Sequence, residues 1–568
     1  MTQRSREEAI QQDVRDLHSL GYAQELFRSM GGFSNFAISF SIISILTGAV
    51  ILYDYGLAWA GTAASLIGWP LVTLFVLAIA ASMAEVASAY PTAGGLYYWA
   101  SRMKGVAWGW WTAWLNLIGQ FAIVAGIAYA AAQFLNVAIV SPVLSTFHIT
   151  YGNTTEFIKA GDVPILTGAL VTMGVLLAIC LILNIAGINL VALLNQVSVW
   201  WHIAIVAAVV ILVFLLGKPD QSGMTLFAVQ PQDHGGSWAN SLPFGINFSY
   251  GAAITYPLFF AFMFSLLQAN WTYTGYDASA HVAEETIGAR VSSAWGIFLS
   301  VAVSAVVGYV FLFALTTHLP NLSALFPADL AKADPDKLST YYFGGAYTVF
   351  ETLKYNLATV GQLLGAGIAV AMSFCTLSSI ASAGRMLFAF SRDDGVPGSS
   401  WLKKVSHRYR TPANSLVTIV VVAFLFTMAA FIVGALGSAG GGGIAIAIVT
   451  AISTIFLYAA YAVPIYLGLT TNGWRSEQVW SLGRWSRPVA ILALAWIAVL
   501  LVLFSFPTSG NISWPFMAGT VVLLLVYYFA WARARFKGPR VMGGETELTE
   551  IEREFDAAAR ELEGPAPA

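Results

Sequence analysis

The sequence predicts an all-α integral membrane protein of twelve spanning helices, arranged as a 5+5 inverted repeat followed by two further helices. Three observations predict it. Of 568 residues, 58% are hydrophobic and 10% are charged, against about 25% charged in a soluble domain, so the charges cannot cover a water-facing surface. Twelve runs reach the ~20 mostly apolar residues that cross a bilayer: 33–54, 62–84, 106–135, 163–184, 188–216, 257–286, 291–317, 359–389, 412–436, 444–468, 488–506 and 513–532. Thr-Gly pairs interrupt the first and the sixth of these runs, the positions that two repeats of five spans would bring into correspondence.

Taken in order, the segment 1–32 is polar and lacks a short apolar core followed by a cleavage site, so the first span is expected to be retained. Spans one to five occupy 33–216 as the first repeat. The connection 217–256 is long and rich in Gly, Ser, Pro and aromatics, and is expected outside. Spans six to ten occupy 257–468 as the second repeat, with a second long outer connection at 319–357. Long loops of this kind are often lids or gates. Spans eleven and twelve fill 488–532, and the tail 533–568 carries Leu548, Ile551 and Phe555 at helical spacing, which predicts a surface helix. With the N-terminus inside, 22 of the 27 basic residues fall on the inner side, and only Lys159, Lys218, Lys332, Lys337 and Lys354 fall outside. The positive-inside rule then places both termini in the cytoplasm of a multi-pass plasma-membrane protein.

Composition excludes other classes. The net charge of -2 comes with no basic block, so no nucleic-acid partner is expected. Cys180 and Cys375 both lie in apolar runs and offer no disulfide framework or metal spacing. The seven histidines include no HxxxH pair, so no metal, no cofactor and no enzymatic activity are expected.

The interruptions carry the functional reading. Thr47-Gly48 lies within FSNFAISFSIISILTGAVILYDY and Thr274-Gly275 within FFAFMFSLLQANWTYTGYDASAHVAEET. About ten residues at 1.5 Å rise reach the middle of a ~30 Å hydrocarbon core. Unwound backbone at that depth is tolerated where it lines a cavity or is buried in protein. Half-helix N-termini offer N–H groups to an anion and freed carbonyls face a cation, so a zwitterion suits both. Paired broken helices suit alternating access by a secondary transporter better than an open channel pore.

Three motifs carry a family resemblance. SMAEVASAYPTAGGLYYWASRM (Ser82 to Met103), TYTGYDASAHVAEET (Thr272 to Thr286) and AGRMLFAFSRDDGVP (Ala383 to Pro397) resemble, in order, signatures of the amino acid–polyamine–organocation transporter superfamily. The first-span wording GGFSNFAISFSIISILTG is similar to its subgroup of amino acid and choline transporters, which includes γ-aminobutyrate permeases. The resemblance implies the LeuT/APC-type fold and alternating access. By position, Ile45, Leu46, Thr47, Gly48 and Ala49 match the first-span break whose amides hold the substrate carboxylate. Trp271, Thr272, Tyr273, Thr274 and Gly275 match the sixth-span break, whose carbonyls take the amine and whose aromatics act as an inner gate. Leu46-Thr47-Gly48 has one glycine fewer than the usual Gly-Ser-Gly, which leaves less room for an α-carboxylate beside an α-amine. In proton-coupled members a basic residue of span five, seven after a polar Asn, occupies the place of a sodium ion; Asn195 and His202 have that spacing.

Ionisable groups at membrane depth are functional candidates by default. Asp277, two residues past the sixth-span break, is a candidate for the substrate cation or for the local hydrogen-bond network. Tyr276 joins Trp271 and Tyr273 as an aromatic lining. His202 titrates in the physiological range when unperturbed and is the candidate proton carrier. Glu284 and Glu285 close the sixth span and can pair with Arg290 or Arg385 as a gate or structural ion pair, while Glu85 sits near a membrane edge. The expected function is uptake of a small amino acid or γ-aminobutyrate-like amine, coupled to protons rather than sodium. The alternatives are choline, ethanolamine or polyamine transport, for which Trp271, Tyr273 and Tyr276 could form a cation–π cage, or amino acid exchange.

Overall fold

The computed structural model describes residues 3–160, 163–219, 226–229, 258–320, 346–406, 408–436, 441–505 and 513–563. Most of the 217–256 connection, 321–345 of the second long connection and the last five residues of the tail lie outside the described residues, so their expected roles are not addressed. Among the described residues, 11 helices are long and apolar enough to cross a membrane. The twelfth predicted span is the sixth, which is divided into Leu258–Ser265, Leu267–Thr272 and Ala278–His281 and so presents no single long helix. The first span is also divided, into Gly32–Ile43, Ile45–Ile51 and Tyr53–Ala60.

One predicted boundary needs correction. The fourth span was expected from 163, but Val163–Thr167 pairs antiparallel with Glu156–Ala160 as a short hairpin, and the helix runs Gly168–Ile185. Val, Ile and Thr favour extended backbone, and Pro164 is acceptable at a ribbon edge. This hairpin is the one departure from helix in an otherwise all-α set of described elements.

Packing repeats under a shift of five spans. The third span, Val106–Leu135, packs on the tenth, Gly441–Thr470, as the eighth, Thr359–Arg392, packs on the fifth, Ile188–Leu216. The second, Trp69–Ala89, lies along the seventh, Ala289–Thr317, and the third along the eighth. The broken first span is at the centre, with 94% of its apolar window buried against 11% for Phe516–Arg535 of the last span. Peripheral helices expose Ile182, Leu193, Trp200, Leu215 and Leu523, a surface that would aggregate in water and that a bilayer would cover. Cys180 and Cys375 are both buried.

The terminal segments share one face. The N-terminal helix Gln3–Ser19 and the C-terminal helix Glu545–Glu563 are joined by His18 Nε2 and Glu552 Oε1 at 2.7 Å, and the Met542 amide donates to the Gly21 carbonyl at 2.8 Å.

Candidate functional site

The first span breaks at Ser44, which sits at φ 31° and ψ 87°. That left-handed conformation costs a non-glycine residue about 1–3 kcal/mol, and local bonds offset it. The Ser44 carbonyl accepts the amides of Thr47 (2.8 Å) and Gly48 (2.9 Å), and its hydroxyl contacts Thr47 Oγ1 (2.6 Å) and His202 Nε2 (2.8 Å). The predicted break at Thr47-Gly48 is therefore displaced by about one helical turn. Ile45, Leu46, Thr47, Gly48 and Ala49 are helical, the opening turns of the half-helix Ile45–Ile51; of its first N–H groups those of Thr47 and Gly48 are taken by the Ser44 carbonyl, which leaves those of Ile45 and Leu46 at the break.

The sixth span unwinds from Tyr273 to Asp277, as expected around Thr274-Gly275. Gly275 has φ +95°, and a Cβ there would lie 2.3 Å from Ile42 Cγ2 of the first span. At Gly48 a Cβ would lie 2.5 Å from Thr272 Oγ1 and 2.7 Å from Thr272 Cα. Each glycine thus marks the point where the other broken span passes, and neither site has room for a side chain.

Between the breaks is a cavity of ≈ 10 Å³ lined by Ile42, Ile43, Thr47, Gly48, Ile123, Ile127, Trp271, Thr272 and Thr274. That space holds about one water, so a substrate requires the two broken spans to separate. The Trp271 indole donates to Ser453 Oγ at 2.9 Å, and the Trp271 carbonyl accepts both the amide and the hydroxyl of Thr274. The other candidates are arranged around this cavity without lining it. Tyr273 turns to the second span, with its hydroxyl 2.5 Å from Thr73 Oγ1 and its ring on Trp69. Tyr276 packs against Tyr461 with the rings tilted by 40° and 5.1 Å between ring centres.

Asp277 lies in a hydrogen-bond network. Oδ1 accepts the Tyr461 hydroxyl (2.8 Å), and Oδ2 is approached by the amides of Asn116 (3.1 Å) and Gln120 (3.3 Å) and by His281 Nε2 (3.2 Å). Its carboxylate is buried in this network and is not among the cavity-lining groups.

His202 is fully buried. Its Nδ1 is 2.8 Å from the Ser198 carbonyl, which can only accept, so Nδ1 carries hydrogen and Nε2 in the neutral ring accepts from Ser44. A chain of two hydroxyls, Ser44 and Thr47, therefore connects His202 to the cavity. Asn195 is engaged separately, accepting the Ser378 hydroxyl.

At the face carrying the termini, two buried ion pairs close the sixth span against the eighth. Arg385 binds Glu285 through Nε (2.9 Å) and a terminal nitrogen (3.2 Å). Glu284 pairs with Arg392 at 3.0 and 2.9 Å, not with Arg290, which donates instead to the carbonyls of Ser88 and Glu477. Glu85 belongs to a different junction: it accepts the Leu482 amide at 2.8 Å and the Ser486 hydroxyl at 2.5 Å, tying the second span to the turn before the eleventh. The N-terminal segment is sutured over the ion pairs. Ser29 and Met30 donate to the Glu285 carbonyl, Arg28 to the carbonyls of Ala283 and Thr286, and Asp13 accepts the amides of Gly288 and Ala289. Burial pushes the carboxyls of Asp13 and Glu25 above their ordinary range, against the pull of Arg28 and Arg392 respectively, and lowers Arg28.

Sequence reasoning missed His281, Arg392 and Ser44. The i, i+4 spacing of Asp277 and His281 in DASAH would have placed them on one helix face. Arg392 lay in view within SRDDGVP, but nothing local pointed its side chain at Glu284. Ser44 carried no signal, since one of the bonds that hold its conformation comes from His202 on another helix.

The comparisons agree with this architecture. A family model described as amino acid permease matches residues 30–527. Amino-acid permease BAT1 of Arabidopsis thaliana is 32% identical over 543 residues, covering 92% of the chain and 95% of that protein. Its homolog in Oryza sativa subsp. japonica is 31% identical over 544 residues, 92% of the chain and 94% of that protein. A putative polyamine transporter of Candida albicans is 23% identical over 572 residues, 96% and 92% of the two chains. With its two interlocked broken spans and a family match over most of its length, the chain belongs to the amino acid permease family of the amino acid–polyamine–organocation superfamily, as a multi-pass membrane transporter and not an enzyme.

Proposed function

We propose that this permease takes up a small amino acid or γ-aminobutyrate-like amine across the cell membrane by alternating access, driven by protons, with both termini in the cytoplasm. The observation that carries the substrate class is the cavity wall. It combines Thr47, Thr272, Thr274 and Trp271 with no acidic residue, because Asp277 is spent on its own network. A helix N-terminus offers N–H groups to a substrate carboxylate and the Trp271 face can receive an amine. A polyamine or choline would bring positive charge without a balancing anion in the wall. The name of the Candida relative keeps that second reading in view.

A thermal-shift screen of the purified permease against amino acids, γ-aminobutyrate, choline and polyamines, with sodium replaced, tests the class. A true substrate at 100 times its Kd stabilises by about 2.7 kcal/mol, and it should also support counterflow in proteoliposomes. Stabilisation by polyamines alone would overturn the amino acid reading.

For coupling, His202 carries or senses the proton, supported by its hydroxyl connection to the cavity. His202→Ala should abolish accumulation driven by a pH gradient while sparing exchange. An unchanged dependence on the gradient would remove His202 from the coupling path.

A further inference from the structure

The sixth span carries an acid and an imidazole four residues apart, Asp277 and His281, both fully buried. His281 Nε2 lies 3.2 Å from Asp277 Oδ2, and Nδ1 lies 3.0 Å from the Ala93 carbonyl oxygen. A carbonyl only accepts, so Nδ1 carries hydrogen. A neutral ring would then turn the Nε2 lone pair onto a carboxylate, setting two acceptors face to face. Both contacts are satisfied together only when the pair holds one proton more than a carboxylate and a neutral imidazole possess.

We propose that Asp277 and His281 form a proton-binding site, separate from His202, whose occupancy locks the cytoplasmic gate through Ala93. The Ala93 amide donates to Glu284 Oε1 at 3.0 Å, and Glu284 holds Arg392. A single residue of the YPTAGGLYY loop thus touches the proton site with its carbonyl and the gate ion pair with its amide. The loop is seated on the ring: Gly95 has φ +48°, and a Cβ there would lie 3.1 Å from His281 Cε1. When the proton leaves, the pair goes from net neutral to one negative charge and the ring keeps one N–H for two acceptors. A hydrogen bond to an ionised acceptor is about twice as strong as a neutral one, so the hydrogen moves to Nε2 and Ala93 loses its donor. The loop then loosens beside Glu284, and the gate opens as the proton departs. The other groups facing the pair are Asn116 and Gln120 from span three, Tyr461 from span ten, Tyr276 on span six and, beyond Ala93, Glu284 with Arg392 and Arg28.

The gating role rests on the alternating-access reading, but the test needs no substrate. Hydrogen exchange of the full-length protein is followed by mass spectrometry over residues 22–31 and 90–96 from about pH 5 to about pH 9, corrected for intrinsic rates. In the wild type, exchange in both segments should rise about tenfold with pH as local opening becomes cheaper. In Asp277→Asn an amide nitrogen in the place of Oδ2 donates to a neutral Nε2, so both His281 contacts form without the extra proton while Asn116 and Gln120 lose Oδ2 as their acceptor, and 90–96 should stay protected throughout. In His281→Gln the Ala93 contact is lost, and 90–96 should exchange fast at every pH. If one variant fails to fold, the other still carries a prediction of fixed sign. His202→Ala should keep the wild-type titration. Flat wild-type exchange, a titrating Asp277→Asn, or loss of the titration in His202→Ala would each overturn the proposal, whereas absent counterflow would overturn the transport reading and leave the titration standing.

Discussion

At the residue scale, Gly48 and Gly275 separate a break from a contact. Both were legible in the sequence as interruptions, yet only Gly275 unwinds its helix. Gly48 sits inside a helix and is small because Thr272 passes 2.7 Å from where its Cβ would be. Gly48→Ala should cost about 1–3 kcal/mol by overpacking, and Gly275→Ala more, since its φ of +95° adds backbone strain to the clash. Gly519→Ala, with nothing within 4 Å of the new carbon, is the control and should be neutral or slightly stabilising. Thermal midpoints of the three purified variants, with uptake normalised to protein amount, check the ranking. The displacement of the first break to Ser44 could not be read from local sequence alone, because one of the bonds that hold it comes from His202, 158 positions away.

At the element scale, spans six and eight are held by charge. Long apolar runs and the sign of the flanking charges made the spans and their order legible, since both follow from local composition. Which acid meets which base did not: Arg290 and Arg385 were the candidates, and the partner of Glu284 is Arg392, whose direction is set only when the helix is rotated into place. The Glu285 and Arg385 side chains are fully buried. Removing one partner of such a pair leaves an uncompensated buried charge and costs about 3–5 kcal/mol, whereas replacing both with apolar groups is often neutral. Glu285→Gln should therefore be far less stable than Glu285→Leu/Arg385→Met, and denaturation of both variants in the same detergent measures the difference.

At the scale of the whole molecule, Asp393 collects the two ends of the chain. It accepts the hydroxyls of Tyr22 (2.9 Å) and Tyr97 (2.6 Å) and the amide of Arg540 (2.9 Å). Burial pushes its carboxyl above the ordinary range, and Arg392 offsets this only in part. A folded-state pKa above the unfolded value of about 3.9 means that the folded form holds the proton more tightly. Its contribution to stability is therefore fully present below that value and declines as pH rises through the raised one. Thermal midpoints measured upward from about pH 4 should fall less steeply in Asp393→Asn than in the wild type. The two buried cysteines have a consequence of another kind. Because Cys180 and Cys375 are both sequestered among packed helices, the chain in this conformation should be silent toward water-soluble thiol reagents. A single cysteine engineered into either aqueous approach would report which side is open without first stripping the protein of its own thiols.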